Sequence, residues 1–243
     1  MSKEVSQMFA SIAQRYDLAN DVLSGGMHRT WRRTLLRYSD IQPGDRVLDL
    51  CTGTGDVAFC LQSRVGKLGS VIGVDFVHEM LTLADEKQRR RMKGSPTALP
   101  PIRFVHGDAM HIPFPDATFD AATVSFGIRN VDDPFECLRE MKRVVRPHGR
   151  VIVLEFGQPL VPGFKQAYEF YSRRVMPHIG GLLTGNRAAY EYLPRTSSQF
   201  PCGSRFTALM ERAGMRVLHT KPLFCGIAYL YVGEPLSANE TLN

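Results

Sequence analysis

One short segment constrains the fold of this chain more than any other. The apolar run Arg46–Leu50 (RVLDL) passes directly into Cys51-Thr52-Gly53-Thr54-Gly55-Asp56. This reads as a strand breaking into a glycine-rich turn, with a helix following over about Asp56–Arg64. Gly53 and Gly55 let the backbone bend sharply and approach a ligand closely. The same rhythm then recurs. Strands are expected at Ser70–Asp75, Ile102–His106, Phe119–Phe126, Arg150–Phe156, Arg216–Thr220 and Gly226–Val232, with helices at Val77–Met92, Pro134–Val145 and Ser204–Ala213. The strands are near-continuous Val/Ile/Leu runs, as in a sheet buried on both faces. Strands alternating with helices predict an α/β fold with a doubly wound, mostly parallel, seven-stranded sheet.

Two regions break the alternation. Val5, Met8, Phe9, Ile12 and Tyr16 form one apolar stripe at helical spacing, and Ser24-Gly25-Gly26 separates it from a second helix, Met27–Tyr38. Gln158–Gln199 is rich in Pro, Gly and aromatics, and reads as a mostly helical insertion over the sheet. The 243 residues are therefore expected to form a single domain. Its parts are an N-terminal helical cap (5–40), a cofactor-binding core (45–157), the substrate insertion (158–200) and a C-terminal helix with strands (201–233). The tail after Gly233 is polar and reads as frayed. The basic run Arg89-Arg90-Arg91-Met92-Lys93 suits the carboxyl end of its helix.

Composition excludes several classes. The charged fraction is 22% and the mean hydropathy −0.16, ordinary values for a globular chain. The longest uncharged apolar stretch, Pro222–Gly233, is too short to span a bilayer. The opening MSKEVSQMFASIAQRYD has no apolar centre and carries acids early, so it reads as neither a signal nor a transit peptide. Five widely spaced cysteines without a CxxC argue against a disulfide framework, and a cytoplasmic location is expected. No structural metal is expected. The net charge of +6 favours anionic partners. Nucleic acid is not expected, because the aromatics cluster in the apolar insertion instead of interleaving with a basic stripe.

The turn points to an adenosine-containing cofactor. Asp75 ends the second strand 20 residues after Gly55, where a carboxylate can accept from both ribose hydroxyls. Gly53-x-Gly55-x-x-Ala58 also fits the loose dinucleotide fingerprint, which leaves an NAD(P)-dependent oxidoreductase as a rival. Asp49 and Asp56 would repel a pyrophosphate in this loop, whereas acids favour the sulfonium and ammonium of S-adenosylmethionine. A third acid, Asp108, follows the third strand, where it can accept from the adenine amino group while the Ala109 N–H reaches a ring nitrogen. Cys51 reads as a small packing residue.

Beyond the loop, the chain resembles the C-methyltransferases of ubiquinone and menaquinone biosynthesis, of the demethylmenaquinone type. The resemblance is carried by Arg15-Tyr16-Asp17-Leu18-x-Asn20, Ser24-Gly25-Gly26-Met27-His28-Arg29-x-Trp31 and Asp108-Ala109 through Pro113-Phe114-Pro115-Asp116-x-x-Phe119-Asp120. The most specific stretch is Ser125-Phe126-Gly127-Ile128-Arg129-Asn130-Val131, followed by Leu154-Glu155-Phe156. Tyr168, Tyr171-Ser172 and Tyr190-x-Tyr192-Leu193 extend it into the insertion, so that it covers roughly residues 5–232. The chain departs from the family pattern at Pro194–Phe200 and in its last strand, where Tyr-Leu-Tyr replaces the usual His-Arg-Gly.

The resemblance implies a Rossmann-like class I methyltransferase that moves a methyl group from S-adenosylmethionine to a ring carbon of a prenylated quinol. The other open readings are a different small-molecule methyltransferase or an RNA methyltransferase. By the same resemblance, the cofactor residues are Thr54, Asp75, Asp108, Ala109 and Ser125, with Asp49 and Gly53 lining the loop. Candidate catalytic residues are Arg129 and Asn130 after the fourth strand, and Tyr16, Asp17 and His28 from the cap. Asp17, His28 and a water held by Arg129 are the candidates for the base. A prenylated quinol resides in the bilayer, so peripheral contact with the inner face of the membrane is expected. Met27–Tyr38 offers two faces for it, with Arg29, Arg32, Arg33 and Arg37 on one and Trp31, Leu35 and Tyr38 on another. In the alternative reading, Trp31 and Leu35 pack on the core. Phe164, Tyr168, Phe170, Tyr171 and Leu182-Leu183 are expected to line a path for the isoprenoid tail. A second copy of the chain, in a homodimer, is a further candidate partner.

Overall fold

The computed structural model describes residues 3–94 and 99–236. Seven strands form one sheet: β1 (Arg46–Leu50), β2 (Ser70–Asp75), β3 (Arg103–His106), β4 (Phe119–Ser125), β5 (Val145–Phe156), β6 (Met215–Leu223) and β7 (Ala228–Pro235). Their order is β3-β2-β1-β4-β5-β7-β6, and only β7 runs against its neighbours β5 and β6. The expected doubly wound, mostly parallel sheet is thus present. Its order reverses direction between β1 and β4, and in open α/β sheets ligands bind beyond the carboxyl ends of the strands at such a point.

Both faces of the sheet are covered, as its unbroken apolar strands require. One face packs on α6 (Pro134–Val144) and α10 (Ser204–Arg212) through Leu138, Met141, Phe206 and Met210. The other packs on α3 (Met27–Tyr38) and α4 (Asp56–Val65) through Trp31, Leu35, Phe59 and Leu61. Burying side chains of this size stabilises the fold by roughly 1.5–3 kcal/mol each. α6 starts where the sequence marks it, with the Asp133 carboxylate accepting from the N–H groups of Phe135 and Glu136 and Pro134 in the first turn.

The α3 result decides between the two readings of that helix. Trp31 is 5% exposed and Leu35 1%, and the indole lies against Phe126 and Phe156 with centroids 5.7 and 6.4 Å away. These two side chains are core, not a membrane anchor. The sheet face beneath them is apolar and needs a cover, whereas Arg32 is drawn off to an acid of the glycine loop.

Three further expectations change. The N-terminal stripe is not one helix: α1 (Lys3–Ile12) tightens into a 3-10 turn at Ala13–Arg15 before α2 (Tyr16–Leu23). The stripe serves two partners. Ile12 and Ala19 join Met176, Ala189 and Tyr190 of the insertion, while Ala13 packs with Val77 and Met80 at the start of α5 (His78–Gly94). The insertion is helical as expected, with α7 (Phe164–Phe170), a π turn at Tyr171–Val175, α8 (Met176–Thr184) and α9 (Arg187–Gln199). Phe170 and Leu182, however, point outward, 65% and 86% exposed. Last, Glu234 does not fray. It lies buried in β7 and pairs with Arg150 and Arg216. The rest of the expected tail, 237–243, lies outside the described residues.

Candidate active site

The carboxyl ends of β1, β2 and β4 carry the site. Asp49, in β1, is 1% exposed and accepts from the Thr52 hydroxyl at 2.7 Å and the Thr123 hydroxyl at 2.5 Å. Burial pushes its carboxyl up to about 6 in spite of these donors. Asp75 ends β2 and accepts from the N–H groups of Gly53 and Val77, each at 2.8 Å. It pins the glycine loop to the second strand, and burial raises its pKa too. Gly53 has φ +58°, and a Cβ built there meets nothing within 4 Å, so the loop presents open backbone. Cys51 and Phe126 follow β1 and β4 with φ +51° and +56°, conformations costly for non-glycine residues that concentrate at functional sites.

Beyond these strand ends lies a small cavity of about 70 Å3 bordered by Asp75, Asp108, Ala109, Ser125 and Asn130. Asp108 accepts from the Met110 N–H at 3.0 Å. Ser125 Oγ is buried with no hydrogen-bond partner among the described residues, a state that costs about 1–3 kcal/mol until a ligand or water meets it. An orphaned hydroxyl, an open glycine loop and a buried acid whose charge is destabilised suit a cationic adenosine cofactor. The structure therefore brings together Asp49, Gly53, Thr54, Asp75, Asp108, Ala109 and Ser125 around two adjoining cavities.

The second acid of the loop behaves differently from the sequence argument. Asp56 opposes burial through ion pairs with Lys87 Nζ at 2.9 Å and Arg32 at 2.7 Å, and these hold its carboxyl below the usual range. It is neutralised, so the case against a pyrophosphate in this loop rests on Asp49. Lys87 also meets Asp17 at 2.5 Å and the Thr54 hydroxyl at 2.8 Å, and Thr54 donates to Asp17 at 2.6 Å. This network clips the cap helix α2 to the core. Sequence reasoning missed Lys87, which sits mid-helix in a charged stretch with no local motif.

A larger cavity of about 1000 Å3 opens between the loop, the cap and the insertion. That is ample for a cofactor tail and a ring substrate. Tyr16, Asp17 and His28 line it from the cap, and Phe164, Tyr168 and Tyr171 from the insertion. Tyr16 stays a neutral phenol, because burial raises its pKa. His28 is pushed down by burial and then by Arg32; its ring contacts the Ser24 hydroxyl at 2.6 Å and Asp21 at 3.2 Å. Both side-chain candidates for the base are thus already engaged, Asp17 by Lys87 and His28 by Asp21 and Ser24.

Arg129 enters from the turn after β4. Its Nη1 donates to Glu155 at 2.7 Å and to the Phe126 carbonyl at 2.6 Å, while the Phe156 ring lies 5.1 Å beneath the guanidinium. Its Nε is buried with no acceptor among the described residues. Asn130 lies on the side of the small cavity, and its Oδ1 accepts from the Tyr192 hydroxyl at 3.2 Å. Glu155 and Tyr192 belong to stretches noted in the sequence, but pairing across β4, β5 and α9 is visible only in the fold.

Comparison with known proteins agrees with this architecture. The model of the ubiE/COQ5 methyltransferase family matches residues 1–234. Ubiquinone/menaquinone biosynthesis C-methyltransferase UbiE of Bdellovibrio bacteriovorus is 44% identical over 230 residues, 94% of each chain. Demethylmenaquinone methyltransferase of Bacillus cereus is 38% identical over 234 residues, 96% of each chain. Among solved structures, a SAM-dependent methyltransferase from Aquifex aeolicus superimposes with a TM-score of 0.58 at 21% identity, covering 84% of this chain and 89% of its own; this likeness bears on the fold alone.

Proposed function

The chain belongs to the ubiE/COQ5 methyltransferase family, and from that premise we propose that it methylates a ring carbon of a prenylated quinol, with S-adenosylmethionine as donor. The observation that carries the reading is the large, largely apolar cavity that meets the acidic glycine loop, with Arg129 in its wall. S-adenosylmethionine would supply there an electrophilic methyl for an electron-rich ring carbon, whose displaced ring proton would pass to water in the cavity. Asp49, Gly53 and Thr54 would hold the charged end of the donor, Asp75 the ribose, and Asp108, Ala109 and Ser125 the adenine side. Arg129 stabilises the quinol oxygen as it becomes phenolate, and neutral Tyr16 donates from the opposite wall. Asn130 links this wall to the cofactor side. Alignment of the two reactants can contribute roughly 7–11 kcal/mol.

Among the described residues, no helix is long and apolar enough to cross a membrane. Peripheral contact is therefore proposed at the mouth of the cavity. Val22 and Phe224 line the cavity and are 48% and 52% exposed, and Leu160, 61% exposed, lies against Gly226, two residues after Phe224. Apolar groups at such a rim suit entry of a prenyl tail from lipid.

The test supplies methyl-labelled S-adenosylmethionine with reduced demethylmenaquinol and a reduced demethylated benzoquinol side by side. Label in the ring of at least one quinol, and none in the oxidised forms, is expected. Transfer to neither reduced ring refutes the substrate assignment.

A further inference from the structure

One carboxylate controls Arg129 from backbone to guanidinium. Glu155, 1% exposed at the end of β5, accepts from Arg129 Nη1 at 2.7 Å and from the Phe156 N–H at 2.7 Å through Oε1. Its Oε2 accepts from the Arg129 N–H at 3.3 Å. The ion pair is almost wholly desolvated, with side chains 5% and 1% exposed. Pairing this close and this dry cancels most of the field that Arg129 would otherwise project into the cavity.

We propose that Glu155 is a positioning residue that fixes the Arg129 guanidinium against the cavity wall and tempers its charge, so that the arginine meets the substrate's phenolic oxygen as one half of a neutral pair. The proposal rests on the reading of the large cavity as the ring site.

Position and charge are separable. Three phenols face Arg129 from the packed elements, Tyr16 of α2, Tyr168 of α7 and Tyr192 of α9, and burial raises the pKa of each. They remain uncharged over the working range. The Cys51 thiol that faces Glu155 is likewise held neutral by burial. Glu155→Gln therefore leaves an uncompensated cation beside the ring, which favours phenolate. Glu155→Asp keeps the charge but withdraws the carboxylate by one methylene.

The probe is 1-naphthol, whose absorbance reports its ionisation, titrated in the complex with each full-length enzyme alongside quinol turnover. Glu155→Gln is expected to increase the naphthol ionisation constant at least tenfold and to move the rising limb of the turnover profile to lower pH. Glu155→Asp is expected to leave both pH midpoints in place while kcat falls about tenfold or more. In an Arg129→Gln background, Glu155→Gln is expected to shift nothing further, and this charge-free pair also covers the case in which the single variant does not fold. Equal midpoints for bound naphthol in wild type and Glu155→Gln overturn the proposal, as does a shift that persists without Arg129. Failure of naphthol to enter the wild-type cavity instead overturns the ring-site reading, and the proposal with it.

Discussion

Replacing Asp49 by Asn should stabilise the cofactor-free protein and weaken its hold on the cofactor. Burial raises the Asp49 carboxyl from 3.8 to about 6, so above that pH the folded protein carries a charge that it accommodates worse than the unfolded chain does. A shift of about two units corresponds to about 3 kcal/mol at 1.36 kcal/mol per unit. Between the two pKa values the folded state binds more protons than the unfolded state, so this contribution falls as pH rises through the window from about 4 to about 6. Asn has nearly the same shape, and the Thr52 and Thr123 hydroxyls can rotate to meet its amide. Urea denaturation of the stripped enzyme should show the two proteins nearly equal at pH 4. At pH 7.5 the variant should be more stable by up to about 3 kcal/mol, since it also removes the repulsion that the Asp75 carboxylate exerts on the Asp49 charge. Calorimetry should show the reverse sign for S-adenosylmethionine, because a cation favours ionised Asp49. A variant that is no more stable than wild type at pH 7.5 refutes the argument that Asp49 is a destabilised charge held for a ligand.

Arg129→Ala should leave cofactor affinity nearly intact and lower turnover on the order of 100-fold or more. Arg129→Lys should restore only part of it, since an ammonium cannot reproduce the planar fork; single-turnover methyl transfer measures both. Asp75→Ala should weaken S-adenosylmethionine binding at least tenfold by calorimetry, because it removes a charge-assisted acceptor and frees the Gly53 N–H that it pins. Trp31→Ala should cost about 3–5 kcal/mol in thermal or urea unfolding, as expected for a buried indole; a change within 0.5 kcal/mol would return α3 to the surface.

Much of this molecule is legible in order of residues alone. Strand runs such as Arg46–Leu50 and Ser70–Asp75 and the glycine turn between β1 and α4 depend on local periodicity and on backbone freedom at Gly53 and Gly55. The spacing from the turn to Asp75 follows from one helix returning the chain to a parallel strand, so the meeting of Asp75 with the glycine loop was readable too. What α3 faces was not: its two stripes are equally visible in sequence, and only the apolar sheet beneath Trp31 and Leu35 decides which is buried. The same holds for charge. Asp49 and Asp56 look alike seven residues apart, yet Asp49 is enclosed by hydroxyls and feels a second acid, Asp75, while Lys87 and Arg32 reach Asp56 from separate helices. Sequence determines which chemistry the chain carries. Tertiary structure determines which charges survive, because desolvation and ion pairing depend on partners brought together from distant parts of the chain, as Glu155 of β5 is brought to Arg129.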